Sequence, residues 1–146
     1  MVVAGVGVAL ACSLTACTPA SHIYARQDGD NVVFLSCEPG FEVNQIAVSF
    51  FPASSTGVTV WQIEGAHLAI GLGSEYITGQ ALPGATTTVP YSMTADQIDG
   101  GAFEIAFDLL DADGAILSNK VASFAGSKLS ETAWIDSNGV TVAEPC

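Results

Sequence analysis

Large apolar side chains recur at every second position through much of this chain. Phe103-Glu104-Ile105-Ala106-Phe107-Asp108-Leu109 alternates bulky apolar residues with small or acidic ones at strict period two. That is the signature of a strand with one face buried and one face wet. Ile46, Val48 and Phe50 alternate with Ala47, Ser49 and Phe51 in the same manner, so the adjacent rings of Phe50 and Phe51 must point to opposite faces. Val32 to Cys37 and Val58 to Ile63 are β-branched or aromatic runs. Ile23 to Arg26, Ala66 to Leu72, Thr86 to Val89, Ala115 to Phe124, and Ala133 to Ile135 with Val140 to Val142 complete the predicted strands. Clusters of Gly, Pro, Asn and Asp separate them, among them Asp28-Gly29-Asp30-Asn31, Glu38-Pro39-Gly40, Pro83-Gly84 and Asp99-Gly100-Gly101.

Asp113-Gly114 and Asn138-Gly139 stand between strand pairs, and their tolerance of positive φ predicts two-residue type I′ hairpins. Helical spacing is confined to Thr94-Ala95-Asp96-Gln97-Ile98, enough for one capped turn. Seven to nine short strands at regular intervals predict an all-β fold: an antiparallel β-sandwich, immunoglobulin-like in outline, with a small open β-barrel as the alternative. Antibody-type cysteine spacing is missing, because Trp61 follows Cys37 by 24 residues and the other downstream cysteine is Cys146.

The first sixteen residues, MVVAGVGVALACSLTA, carry no charge and no proline. An apolar stretch this long suits a signal-peptide h-region, whereas a membrane span needs about 20 residues. It ends in Leu14-Thr15-Ala16-Cys17, an aliphatic residue, two small residues and a cysteine. This resembles the lipobox of bacterial lipoproteins. The resemblance implies cleavage before Cys17, lipidation of Cys17, and attachment to the extracytoplasmic face of the cell membrane. The basic n-region of such signals is missing, since Met1 leads directly into Val2 and Val3; a start codon assigned too late accounts for that. Val2 to Leu10 is also apolar enough for a buried strand. The expected organisation is a signal at 1–16, a lipidated cysteine and short tether at 17–22, and one domain at 23–146.

With Cys12 in the signal and Cys17 lipidated, Cys37 and Cys146 remain as the single possible disulfide of an exported chain. All fifteen carboxylates and all three bases (Arg26, Lys120, Lys128) lie beyond Cys17, so the mature domain keeps the formal charge of −12. Three scattered bases cannot supply the phosphate contacts that nucleic-acid binding needs. The same charge opposes a domain lying flat on anionic lipid. It suits solubility outside the cell, or a cationic protein or peptide partner.

Candidate chemistry is sparse. Asp111-Ala112-Asp113-Gly114 opens like a calcium loop, but Gly falls at position four and Ala122 occupies the twelfth position, where an EF-hand needs Glu. A hairpin turn explains the motif; the weaker reading is a surface calcium ion on Asp108, Asp111 and Asp113 with Asp96 or Asp99. A serine hydrolase would have to use His67 as its base, because His22 lies in the tether and no Gly-x-Ser-x-Gly elbow is present. The spacing reads His67 as a half-exposed strand residue. Trp61, Tyr76, Tyr91 and Trp134 would mark a binding face if exposed together, and both tryptophans are expected in the core. The sequence predicts a lipid-anchored binding or structural module of the cell envelope, without a cofactor and not an enzyme. The alternatives are an inhibitor or chaperone-like binder of a cationic partner, and a small extracytoplasmic hydrolase.

Overall fold

The computed structural model describes residues 22–37, 41–53 and 55–146, and for Phe41 and Ser118 the backbone alone. The expected signal at 1–16, Cys17 and most of the expected tether lie outside the described residues, as does the expected turn at Glu38-Pro39-Gly40. Ten strands follow in order: β1 (Ile23–Asp28), β2 (Asn31–Ser36), β3 (Phe41–Pro52), β4 (Val58–Ile70), β5 (Ser74–Ile77), β6 (Thr86–Val89), β7 (Gly101–Leu110), β8 (Ile116–Ala125), β9 (Trp134–Ile135) and β10 (Thr141–Val142). One short helix, α1 (Ala95–Ile98), precedes β7.

The strands form two antiparallel sheets packed face to face, ordered β10-β9-β1-β2-β5 and β6-β4-β3-β7-β8. Neither closes into a barrel. The pairing of β1, β2 and β5 opposite β4, β3, β7 and β8 follows the immunoglobulin outline, in which the first, second and fifth strands face a sheet built on a central pair. β3 pairs with β7 in a long register that places Val48 opposite Ile105 and Phe50 opposite Phe103.

The core lies where the alternation predicts. Phe103, Ile105 and Phe107 of β7 are buried, as are Ile46 and Val48 of β3 and Val32 and Phe34 of β2. Phe34 packs tilted on Phe124, ring centroids 5.9 Å apart, and Phe50 on Phe103 at 5.1 Å. Such pairs are worth about 0.5–1.5 kcal/mol beyond their burial. β2 is buried on both faces, Val33 and Leu35 included, which accounts for its unbroken apolar run. Phe51, on the opposite face to Phe50, is partly exposed. Thr94 and Gln97 cap α1 reciprocally, and Ile98 enters the core.

Four sequence expectations need correction. Val58–Ile63 and most of Ala66–Leu72 are one strand, β4, which ends at Ile70 and is interrupted by irregular pairing and not by a turn. β5 carries no alternation and was not predicted; its strand conformation comes from pairing with β2, Tyr76 opposite Phe34. Among the described residues ten strands form instead of the expected seven to nine, because β5 is added and the last two runs are separate short strands.

The hairpin loops are not type I′, which needs positive φ at both central residues. Among the residues of these loops only Gly114 (φ 82°) and Gly139 (φ 78°) are left-handed. In the first loop Gly114 N–H donates to the Asp111 carbonyl (3.1 Å), and Asp111 N–H donates to the Ala115 carbonyl (2.9 Å). The Asp111 carboxylate accepts from Asp113 N–H (2.9 Å) and Ala115 N–H (3.0 Å). The second loop repeats this, with the Asp136 carboxylate accepting from Asn138 and Val140 N–H, each at 2.9 Å. Both are three-residue loops, a type I turn followed by a left-handed glycine. The leading aspartate captures two backbone donors and thereby holds the two central residues right-handed.

Candidate functional site

Chain geometry gathers the sequence landmarks at one end of the sandwich. Cys37 N–H donates to the His22 carbonyl (2.8 Å), so the first described residue stands beside the end of β2. Cys37 and Cys146 form a disulfide with their Cα atoms 5.4 Å apart. β10 lies three strands from β2 in its sheet, so residues 143–146 carry the chain across that distance to Cys37. β3 begins, β4 ends and the β7–β8 loop turns at this same end, because short connections join β2 to β3 and β4 to β5.

His67 belongs to this end. It lies in β4 where Gly65, Ala66 and His67 together face Asn44, between the paired Glu64–Gln45 and Leu68–Val43. The irregularity places His67 at φ 55°, and it is left-handed without being glycine. Histidine is among the residues that occupy this region most readily, although a Cβ there is costly. Its Nδ1 lies 2.8 Å from Oε2 of Glu42, with the two side chains 57% and 53% exposed. The ring also approaches the β7–β8 loop, where a Cβ on Gly114 would sit 3.6 Å from Cε1. A base oriented by a carboxylate is thus assembled. Among the described residues, no serine hydroxyl is hydrogen-bonded to it. In water such a pair contributes about 0–1 kcal/mol. His67 is the exposed strand residue its spacing predicts. Glu42 was not foreseen, because 25 residues separate the two and only the β3–β4 register joins them.

Two carboxylates of the calcium reading are engaged otherwise. Asp111 caps its own loop, and Asp108 accepts from the Asn119 side chain (2.8 Å) across the β7–β8 pair. Asp96 and Asp99 belong to α1 and its C-cap, near the start of β7. Asp108 stands seven residues farther along that strand than Gly101, about 24 Å at the strand rise. Among the described residues no three His, Cys, Asp or Glu side chains are grouped to hold a metal ion.

The four aromatic residues do not share a face. Trp61 is fully buried and Tyr76 nearly so. Tyr91 Oη donates to the Asp30 carbonyl (2.6 Å), and burial raises its pKa, with Asp30 adding to the rise and a hydrogen bond to Thr78 opposing it. Trp134 corrects the expectation that both tryptophans are core. Its neighbour Ile135 takes the core position, which turns Trp134 outward under the Arg26 guanidinium, 5.1 Å from the ring centroid. The bases are dispersed: Arg26 on β1, Lys120 opposite Phe107, and Lys128 beside Gly139. No family model, curated protein or solved structure matches this chain.

Proposed function

We propose that this chain is a lipid-anchored, extracytoplasmic binding or structural module of the cell envelope. The observation that carries the reading is the Leu14-Thr15-Ala16-Cys17 motif, placed five residues before the first described turn and strand. The Cys37–Cys146 disulfide supports it, because such bonds persist in oxidising compartments. The sandwich offers a rigid frame with loops at its ends and a half-exposed His67–Glu42 pair. This suits recognition better than chemistry that must exclude water. Two acyl chains give stable attachment at about 0.8 kcal/mol per buried CH₂.

A Cys17→Ala variant tests this directly. Metabolic labelling with a fatty-acid analogue should mark the natural chain and not the variant, and the variant should leave the membrane fraction. Unchanged membrane retention of the variant would refute the reading. The charge of −12 supports a cationic protein or peptide as partner. Binding of a basic peptide by the lipid-free domain should then weaken steeply between 50 and 500 mM salt, those concentrations being roughly a Debye length of 14 Å and one of 4 Å.

A further inference from the structure

We propose that the end of the sandwich reached by the tether seats on the bilayer surface. Its apolar feet are Leu72 at one corner and Ile116 with Leu117 at another. The inference rests on the lipid-anchored reading above and adds to it an orientation and a contact surface.

Of the four most exposed large aliphatic residues among those described, three stand at this end: Leu72 at 66%, Ile116 at 60% and Leu117 at 69%; the fourth, Val58, stands alone at the other. Leu72 lies in the turn between β4 and β5, whose Gly73 N–H donates to the Ser36 carbonyl beside Cys37. Ile116 opens β8 opposite Leu110, and the pairing then slips so that Leu117 is left over beside it. His22 bonds to Cys37 at the same end.

Tether length makes the bilayer the occupant. Thr18 to His22 is five residues, which reach at most about 17 Å from the lipidated cysteine. The headgroup layer of one leaflet is roughly 5–7 Å deep, so this end cannot move far from it. The layout of the feet also fits a flat surface. β4 and β8 are three inter-strand spacings apart, about 14 Å, and Leu72 lies where the chain crosses from β4 to the other sheet, so the feet are separated by at least about that distance. Two apolar points this far apart rest on a plane, whereas a bound peptide needs one continuous groove or edge. β8 is an edge strand, but the slip at Leu117 and the presence of Lys120 are features that discourage strand addition.

Charge selects the lipid. Glu42, Glu75 and Asp113 lie at or near this end, and an anionic headgroup would repel them. The seat is therefore on zwitterionic headgroups, with the anchor holding the domain and the feet setting its tilt.

The lipidated full chain, reconstituted in phosphatidylcholine vesicles, tests this by tryptophan quenching with brominated acyl chains. Leu72→Trp and Leu117→Trp supply the probes. Val58→Trp, at the start of β4 and hence at the opposite end, is the control; the unsubstituted protein gives the background from Trp61 and Trp134. Emission from the two probes should fall at least twofold in brominated vesicles, and the control should not change. Probes quenched no more than the control, in protein shown by mass to be lipidated and by flotation to be vesicle-bound, would overturn the seat and leave the anchor standing. Absence of lipid on Cys17 would be seen before any fluorescence is read, and would overturn both.

Discussion

Breaking the Cys37–Cys146 bridge should cost this domain roughly 2–4 kcal/mol, and the route to that number passes through both states of the chain. The bond joins residues 109 apart. In the chain-entropy model, a closed loop of this size removes about 16 cal/mol/K from the denatured ensemble, or about 4.8 kcal/mol at 25 °C. The native state offsets part of this. β10 ends at Val142, and residues 143–146 have no strand partner among the described residues, so the bridge is what orders them. Once cut, those residues can fray, and the backbone freedom regained, net of the contacts given up, offsets about 1–3 kcal/mol of that figure. The hairpin of β9 and β10 should stay, because Ile135 is fully buried and pairs with Ala25. The assay is equilibrium unfolding in urea of the oxidised domain against a Cys37→Ser, Cys146→Ser double variant. The m-value should rise in the variant, because its denatured state is less compact. A loss below 1 kcal/mol with unchanged m would refute loop closure as the source of stabilisation. A loss well above 5 kcal/mol would show that native packing depends on the bridge.

Trp61→Phe should leave stability unchanged or raise it by up to about 2 kcal/mol. The lost volume of about 40 Å³ costs about 1 kcal/mol, while Trp61 Nε1 is buried with no hydrogen-bond partner among the described residues, and its removal relieves about 1–3 kcal/mol. Trp61→Ala should cost about 3–5 kcal/mol, and a loss above 2 kcal/mol for the Phe variant in urea unfolding would contradict the unpartnered indole. Tyr91 links stability to alkaline pH. Its folded pKa is raised by burial, so its contribution is complete below the ordinary value of 10.0 and is lost as pH rises through the folded value. Tyr91→Phe should flatten the fall in melting temperature above pH 10; an unchanged slope would remove Tyr91 as its cause. At the left-handed position 67, His67→Gly should be nearly neutral, relief of about 1–2 kcal/mol being balanced by the lost Glu42 pair and the entropy of glycine. His67→Val should lose more than 1 kcal/mol in the same thermal or urea measurement, and equal stability of the two variants would argue against backbone strain there.

What the chain by itself determined is the part of the fold that burial writes into neighbouring residues. Phe103 to Leu109 alternates because β7 has one buried face, and Asp-Gly and Asn-Gly appear where the backbone must turn through positive φ. The disulfide was legible by elimination, since the lipobox reading sets the other two cysteines aside and leaves Cys37 and Cys146. Tertiary structure decided everything that depends on what stands opposite. β5 is a strand because β2 offers it an edge, and Ser74–Ile77 carries no pattern of its own. Ile63 and Leu68 share the buried face of β4 although five residues apart, as Val43 and Ile46 share that of β3 although three apart, because the pleat is broken on both strands where three residues of β4 face Asn44. That bulge makes His67 left-handed and brings it to Glu42, a partner no local spacing could indicate. The exposure of Leu72, Ile116 and Leu117 was equally hidden, since in sequence they resemble core residues. A strand records which of its faces is buried, but its register and its neighbours are settled by long-range pairing, and the site at the Cys37 end is made from those.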